Sequence, residues 1–148
     1  MQRIVKYPNT STFRYYNANP KKRITGDCCI RAIATATGID YNEVVMMCAV
    51  IQIETGYDQT ANQGISILME RLGWEKHKQP RKKNGKKYTG KEFCKAQQGK
   101  QEKDGIIISP RIFCNIGGHH AVAIMDGKVW DIWDSTDGCI GNYWTKAR

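Results

Sequence analysis

The chain has 148 residues, enough for one domain (1–148) with a core that needs no disulfide bonds. No apolar run is long enough to cross a bilayer, and residues 1–8 lack the apolar region of a signal peptide. We therefore expect a cytoplasmic protein with six reduced cysteines, not a membrane protein or a disulfide-rich secreted one. Lys and Arg outnumber Asp and Glu by 23 to 14, which gives a net charge of +9.

The first predicted helix follows an N-terminal arm. Residues 1–23 show little hydrophobic periodicity, and we expect them to lie extended across the fold. Asp27 then has the chemistry of an N-cap and Gly38 that of a helix stop, which predicts a helix over 28–36. Cys28 would be the first residue of this helix, where the helix dipole and the unpaired N–H groups favour a thiolate. Cys29 would point about 100° away and pack in the core.

Three more helices are predicted before the strands begin. Asp40 and Glu43 have the spacing of a capping box, and apolar residues follow them at helical spacing. A third helix is expected to begin at Thr60 and to end at Gly73, and a short fourth one to begin at Thr89. These elements account for most of the chain up to about residue 100.

The C-terminal part has the pattern of strands. Residues 106–109 predict a buried strand, and residues 119–125 and 128–133 predict a hairpin around Asp126-Gly127, a strong turn signal. N-terminal helices followed by antiparallel strands indicate an α+β domain, with the helices packed on a C-terminal antiparallel β-sheet.

The positive charge is concentrated in one segment. Residues 75–103 contain 11 Lys and Arg and 3 Asp and Glu, so this predicted basic insertion carries +8 of the net +9. Arg81, Lys82 and Lys83 are its candidate binding residues, for nucleic-acid phosphates or for an acidic protein. Tyr88 is the one aromatic residue interleaved for stacking on bases, so an acidic protein is at least as well favoured. A solvated loop is the third interpretation.

Two distant segments supply the halves of a nucleophilic cysteine site. Segment 26–32 places Cys28 at a helix start, and segment 118–124 places His119 and His120 at a strand start. An imidazole that takes the proton of a thiol makes the cysteine a nucleophile. Nucleophile and base of such sites are commonly distant in sequence and adjacent in the fold.

The register of the predicted hairpin decides which residues face each other. With a two-residue loop, His119 is opposite Asp134, and Asp131 lies on the same face as His120. With a bulged three-residue loop, His120 shares a face with Asp134 instead. The sequence does not choose between these registers.

The motifs around Cys28 and His120 resemble those of papain-like cysteine peptidases. In that family the cysteine begins a buried helix, the base lies in His-Ala-Val ahead of alternating apolar residues, and an Asn or Asp follows on the next strand. Here 120–124 reads His-Ala-Val-Ala-Ile, and Asp134 follows. The chain is also similar, over more of its length, to small uncharacterised bacteriophage proteins with a Gly-Asp-Cys…Arg-Ala motif and a Trp-Asp hairpin. That origin would imply the cytoplasm of the host cell.

The papain-like resemblance implies a role for each site residue. Cys28 would attack an amide carbonyl, His120 would carry the proton and Asp134 would orient the imidazole, with His119 and Asp131 as the alternatives. Papain-like enzymes usually carry a Gln ahead of the cysteine for the oxyanion, and this chain has none between residues 2 and 52. Its place would be taken by Asn17, Asn19 or the backbone N–H groups at Cys28.

Function is expected to follow from this site. Adjacent cysteines and adjacent histidines are poor ligands for one tetrahedral ion, and the chain has no Cys-x-x-Cys, so we expect neither metal nor cofactor. The favoured function is a cysteine hydrolase or transferase acting on an amide bond of a protein or peptide, by cleavage, isopeptide cleavage or deamidation. The alternative is a catalytically silent, phage-encoded protein on the same fold that binds and blocks a host factor.

Overall fold

The structure is a computed structural model that describes residues 2–100 and 102–147. The described residues form four helices of ten or more residues, one short helix and six strands. The helices are α1 (Arg3–Lys6), α2 (Cys28–Thr37), α3 (Tyr41–Thr55), α4 (Asn62–Arg71) and α5 (Gly90–Gly99). The strands are β1 (Phe13–Tyr15), β2 (Trp74–His77), β3 (Arg111–Ile116), β4 (His120–Met125), β5 (Lys128–Asp131) and β6 (Ile140–Lys146). The prediction of an α+β fold is confirmed.

The strands form one sheet in the order β1-β5-β4-β3-β6-β2. Its pairs are antiparallel except for β1, which runs parallel to β5, so the sheet is mixed, not purely antiparallel as predicted. β1 comes from the N-terminal arm, which also contains α1 and is therefore not uniformly extended. The strand predicted at 106–109 is wrong, because those residues form a loop and β3 begins at Arg111.

Helices cover both faces of the sheet. Alternate residues of the strands point to opposite sides. On one side Phe113, Ala121 and Ala123 pack with the apolar residues of α2, α3 and α4. On the other side Ile112, Val122 and their neighbours pack with α5. No helix within the described ranges is both long and apolar enough to cross a membrane.

The segment 75–103 is an integral part of this fold. Its first residues belong to β2, which pairs with β6 at one edge of the sheet. Residues 90–99 form α5, the predicted fourth helix, and Thr89 at its N-cap forms a capping box with Glu92. Phe93 and Cys94 on α5 are fully buried. The positive charge therefore lies on a helix and loop anchored to the sheet.

Helix α2 has nearly the predicted bounds. Gly38 follows its last residue with φ of +78°, and its N–H bonds the carbonyl of Ala34, as in a common helix C-terminus. Ile30 and Ile33 are buried against the sheet. Helix α2 packs on β4, and Cys28 at the start of the helix forms a hydrogen bond with His120 at the start of the strand.

Candidate active site

The candidate nucleophile lies at the start of α2. Cys28 is the first residue of the helix and is half-buried. Asp27 occupies the N-cap position, as predicted, but its side chain makes no capping hydrogen bond. The first backbone hydrogen bond of the helix runs from the Arg31 N–H to the Asp27 carbonyl (2.9 Å). The N–H groups of the first turn precede that bond and point toward the helix start.

The candidate base lies at the start of β4. His120 is the first residue of the strand, and its side chain is 16% exposed. The turn before it contains Gly117 and Gly118, with φ of +62° and +95°, a conformation that glycine adopts without strain. His119 lies in the same turn and is exposed. The structure therefore places His120, not the alternative His119, at the site.

Hairpin register places Asp131 beside the imidazole. Asp126 and Gly127 both have positive φ and form a two-residue loop, so Met125 pairs with Lys128 and Ile124 with Val129. Alternation along the strands then puts His120 and Asp131 on one face. His120 Nε2 and Asp131 Oδ2 are 2.5 Å apart, and the Asp131 side chain is 2% exposed.

The structure corrects the expected contact of Asp134. Asp134 Oδ1 accepts hydrogen bonds from the N–H of Thr136 (3.0 Å) and from its hydroxyl (2.6 Å). Asp134 therefore stabilises the turn after β5, and the carboxylate that contacts His120 is that of Asp131. The bulged register that favoured Asp134 does not form, because two residues with positive φ close the hairpin without a bulge.

Cys28 and His120 perturb each other strongly. A hydrogen bond from Cys29 and another with His120 lower the pKa of the Cys28 thiol to about 4, against the effect of burial. Burial alone would lower the pKa of His120, but hydrogen bonds with Asp131 and Cys28 outweigh it and raise this pKa to about 9. The lowered pKa of the thiol and the raised pKa of the imidazole favour a thiolate and an imidazolium at neutral pH, which is the reactive state of a cysteine nucleophile.

Cys29 supports the thiolate instead of competing with it. Its hydrogen bond to Cys28 and its burial both raise the pKa of the Cys29 thiol, so Cys29 keeps its proton. A protonated Cys29 can donate to the Cys28 sulfur. Sequence reasoning assigned Cys29 to the core, and it is indeed partly buried against the α2 side of the sheet, but its contact with the nucleophile was missed.

A buried ion network behind the site was also missed. Arg31 Nη1 lies 2.5 Å from Asp131 Oδ1, and Arg31 Nε lies 2.8 Å from Asp27 Oδ1. Burial would raise the pKa of Asp27, but hydrogen bonds from Tyr41, Arg31 and Asn19 lower it overall. The signal available in the sequence was the Asp27–Arg31 spacing of four residues, which brings two side chains together on one helix face.

Trp133 packs against the imidazole. The rings of His120 and Trp133 have centroids 4.8 Å apart and planes inclined at 40°. An indole in this position limits the access of water to the imidazole and to its hydrogen bond with Asp131. In a less polar environment that hydrogen bond is electrostatically stronger.

The two asparagines proposed for the oxyanion have other partners. Asn19 Nδ2 donates to Asp27 Oδ2 (3.1 Å) and to the Tyr41 hydroxyl (3.4 Å), so both of its amide hydrogens are used. Asn17 Nδ2 donates to the carbonyl of Arg23 (3.1 Å), and Asn17 Oδ1 accepts from the Asn19 N–H. Both residues brace the loop that precedes α2. Of the predicted oxyanion groups, the backbone N–H groups at Cys28 are left.

The predicted binding residues lie in a separate region. Arg81 donates to the carbonyl of Gly85 (2.9 Å) and to Gln79 (3.1 Å), and Lys82 forms an ion pair with Glu92. Lys82 and Lys83 also line a cavity of about 570 Å³. Lys95 and Lys103 complete its basic lining, whereas Cys28, His120 and Asp131 are not among its lining residues.

No protein-family model matches the chain, and no curated protein and no solved structure matches it. Within residues 2–100 and 102–147, no group of three or more His, Cys, Asp or Glu is arranged to hold a metal ion.

Proposed function

We propose that this protein is a cysteine hydrolase or transferase that acts on an amide bond, with Cys28 as nucleophile, His120 as general acid and base, and Asp131 as the group that orients the imidazole. The observation that carries this proposal is the Cys28–His120–Asp131 constellation, in which the thiol pKa is lowered to about 4 and the imidazole pKa raised to about 9. A helix-start thiolate, a strand-start imidazole and a carboxylate on the next strand also support the papain-like resemblance.

The reaction follows from these protonation states. The Cys28 thiolate attacks the carbonyl carbon and forms a C–S bond, and the charge that develops on the carbonyl oxygen is stabilised by N–H groups of the first turn of α2. The His120 imidazolium gives its proton to the leaving nitrogen as the C–N bond breaks. Water, activated by the now neutral imidazole, cleaves the thioester in a hydrolase, and an amine takes its place in a transferase. Loss of ammonia in the first step would be deamidation.

Asp131 keeps the imidazole in the productive tautomer. Because Nε2 of His120 is engaged by Asp131, Nδ1 is the nitrogen left to interact with Cys28. Nε2 therefore serves to orient the ring and Nδ1 to transfer the proton, as nucleophilic catalysis requires.

Selective alkylation tests the nucleophile. Iodoacetamide at about pH 6, followed by mass mapping, should modify Cys28 well before the other cysteines, since a thiol with an ordinary pKa is almost fully protonated there. Cys139 is exposed and provides an internal control for access. Equal rates at Cys28 and Cys139 would remove the main support for an enzyme.

Amide chemistry is tested with a mixture of peptides. Mass spectrometry should detect new termini, transfer products or the mass change of deamidation with the wild-type protein, and none of these with the matched Cys28→Ala variant. If Cys28 is alkylated selectively but no amide product is detected, the assignment of Cys28 as a nucleophile stands and the proposed reaction class is contradicted.

A second candidate function is binding of an acidic partner without turnover. It is favoured by the convergence of Lys82, Lys83, Lys95 and Lys103 on one cavity, since clustered lysines attract anionic groups. This function predicts that the biological activity survives Cys28→Ala and is lost on charge reversal of those lysines.

A further inference from the structure

Three charged side chains behind the candidate site are buried together. Arg31 is in contact with both Asp27 and Asp131, and their side chains are between 2% and 6% exposed. Asp27 is the N-cap residue of α2, the helix that contains the nucleophile. Asp131 is the last residue of β5 and is the carboxylate that contacts the base. One guanidinium therefore joins the two halves of the site.

Arg31 fixes the carboxylate that faces the imidazole. It holds Oδ1 of Asp131 at 2.5 Å and leaves Oδ2 for His120. A carboxylate held at one oxygen has less rotational freedom, so its other oxygen stays aligned with Nε2. A lysine could not make both contacts in the same geometry, because its ammonium lacks the planar fork of a guanidinium.

Arg31 also holds Asp27 away from the start of the helix. An Asp at the N-cap normally accepts a hydrogen bond from an N–H of the first turn. Here Oδ1 is bound by Arg31, and Oδ2 accepts from the Tyr41 hydroxyl (2.6 Å) and from Asn19 (3.1 Å). The side chain consequently makes no capping bond, which leaves the first-turn N–H groups open to a substrate oxygen.

We infer that Arg31 is a positioning residue for the reaction proposed above: it aligns Asp131 with His120 and keeps the Asp27 carboxylate off the oxyanion-binding N–H groups. This inference rests on the proposed function. It adds a residue that acts through Asp131 and Asp27, and that controls in this way the geometry of the base and of the oxyanion site.

The test compares Arg31→Lys with Arg111→Lys. Arg111 is a matched control, because its guanidinium bonds the carbonyls of Thr35 and Ala36 at the other end of α2 (3.2 Å each). We expect Arg31→Lys to lower kcat between about tenfold and a hundredfold, as small misplacements of catalytic groups do. The limb of the pH profile that reports His120 should shift to lower pH. Arg111→Lys should leave the pH profile unchanged.

Binding of a peptide aldehyde, which mimics the tetrahedral intermediate, tests the second role. Tyr41→Phe removes one hydrogen bond to Asp27, and we expect it to weaken aldehyde binding several-fold without changing the pH profile of Cys28 alkylation.

A double variant serves if Arg31→Lys does not fold. Asp27→Asn combined with Arg31→Lys removes the carboxylate that would lose its buried cation, and we expect the same shift of the pH profile from it.

The outcomes separate this inference from the proposed function. A wild-type protein without selective Cys28 alkylation contradicts the proposed function itself. A wild-type protein that reacts, with an Arg31→Lys variant that loses thermal stability but keeps the wild-type pH profile and turnover, shows a purely structural arginine and overturns the inference. Unchanged aldehyde binding in Tyr41→Phe overturns the part that concerns Asp27.

Discussion

Arg31 and Arg81 carry the same guanidinium in two regions that differ in burial and in partners. Arg31 is buried between two carboxylates, next to a thiol and an imidazole with perturbed pKa values. Arg81 is exposed and bonds a backbone carbonyl and a glutamine in its own loop. The basic segment dominates the charge of the chain, yet the buried cluster holds the groups with the chemistry of a reaction. A high density of charged residues in a sequence therefore indicates a charged surface. Charged side chains that are buried and paired indicate a candidate functional site.

The greatest loss of turnover is expected from substitutions of the nucleophile and of the base. Cys28→Ala and His120→Ala should each lower turnover by at least about 10³-fold, and the double variant should be no worse, because residues of one catalytic unit are strongly non-additive. Single-turnover assays on a peptide that the wild-type protein processes would measure this, with circular dichroism to confirm folding. Additive losses would contradict a shared mechanism.

The next effect separates two aspartates of the same hairpin region. Asp131→Asn should lower turnover by roughly 10²-fold or more, because an amide opposite His120 no longer stabilises the imidazolium or fixes its tautomer. Asp134→Asn is the matched control and should change turnover less than about twofold. Since Asp131 also balances Arg31, thermal unfolding of both variants should accompany the assays. Equal losses in the two variants would contradict the assignment of Asp131.

The pH dependence of the wild-type protein tests the proposed ion pair without a substitution. The Cys28 thiolate forms as pH rises through about 4, and the His120 imidazolium is lost as pH rises through about 9. In the proposed reaction the thiolate attacks and the imidazolium protonates the leaving group, so the rate of turnover plotted against pH should be bell-shaped between these two values. Alkylation of Cys28 should have its lower midpoint near 4. A single midpoint near 8.5, the ordinary value for a thiol, would contradict the ion pair.

Charge reversal in the basic segment should have a smaller effect and leave the reaction intact. Lys83→Glu, Lys95→Glu and Lys103→Glu combined should lower the salt concentration at which the protein elutes from a nucleic-acid column, because fewer phosphates are neutralised. Arg81 and Lys82 have partners within the protein, so reversing them is expected to matter less. A triple variant that elutes like the wild type would show that the cavity takes no part in anion binding, and altered Cys28 alkylation would show that the two regions are not independent.

The smallest effect is expected at the neighbouring histidine. His119 is exposed in the turn before β4, and Asp131 contacts His120. His119→Ala should therefore keep turnover within about twofold of wild type. A loss comparable with that of His120→Ala would mean that His119 can take the role that we propose for His120.

Local signals predicted the elements that carry the site. An N-cap residue and a stop glycine placed α2, and an Asp-Gly pair placed the hairpin, because caps and tight turns depend on a few adjacent residues. The strand at 106–109 was mispredicted, since an apolar run can be buried as a loop: Ile106 is buried, and the N–H of Ile107 bonds the Tyr143 hydroxyl (2.9 Å). The parallel β1–β5 pair joins residues more than 110 positions apart and has no local signal.

The sequence alone predicted a cysteine at a helix start, a pair of histidines at a strand start and a hairpin with two possible registers. The contact between His120 and Asp131 was settled only in the folded protein. Asp126 and Gly127 both adopt positive φ, and this turn sets the register of the hairpin, which determines the face of the sheet on which each side chain of β4 and β5 lies. The tertiary structure also decided the role of Arg31, whose partners are four and 100 residues away in the chain. The local sequence determines which reactive and charged side chains are present. Packing determines which of them come into contact, because a buried charge is stable only when it is paired.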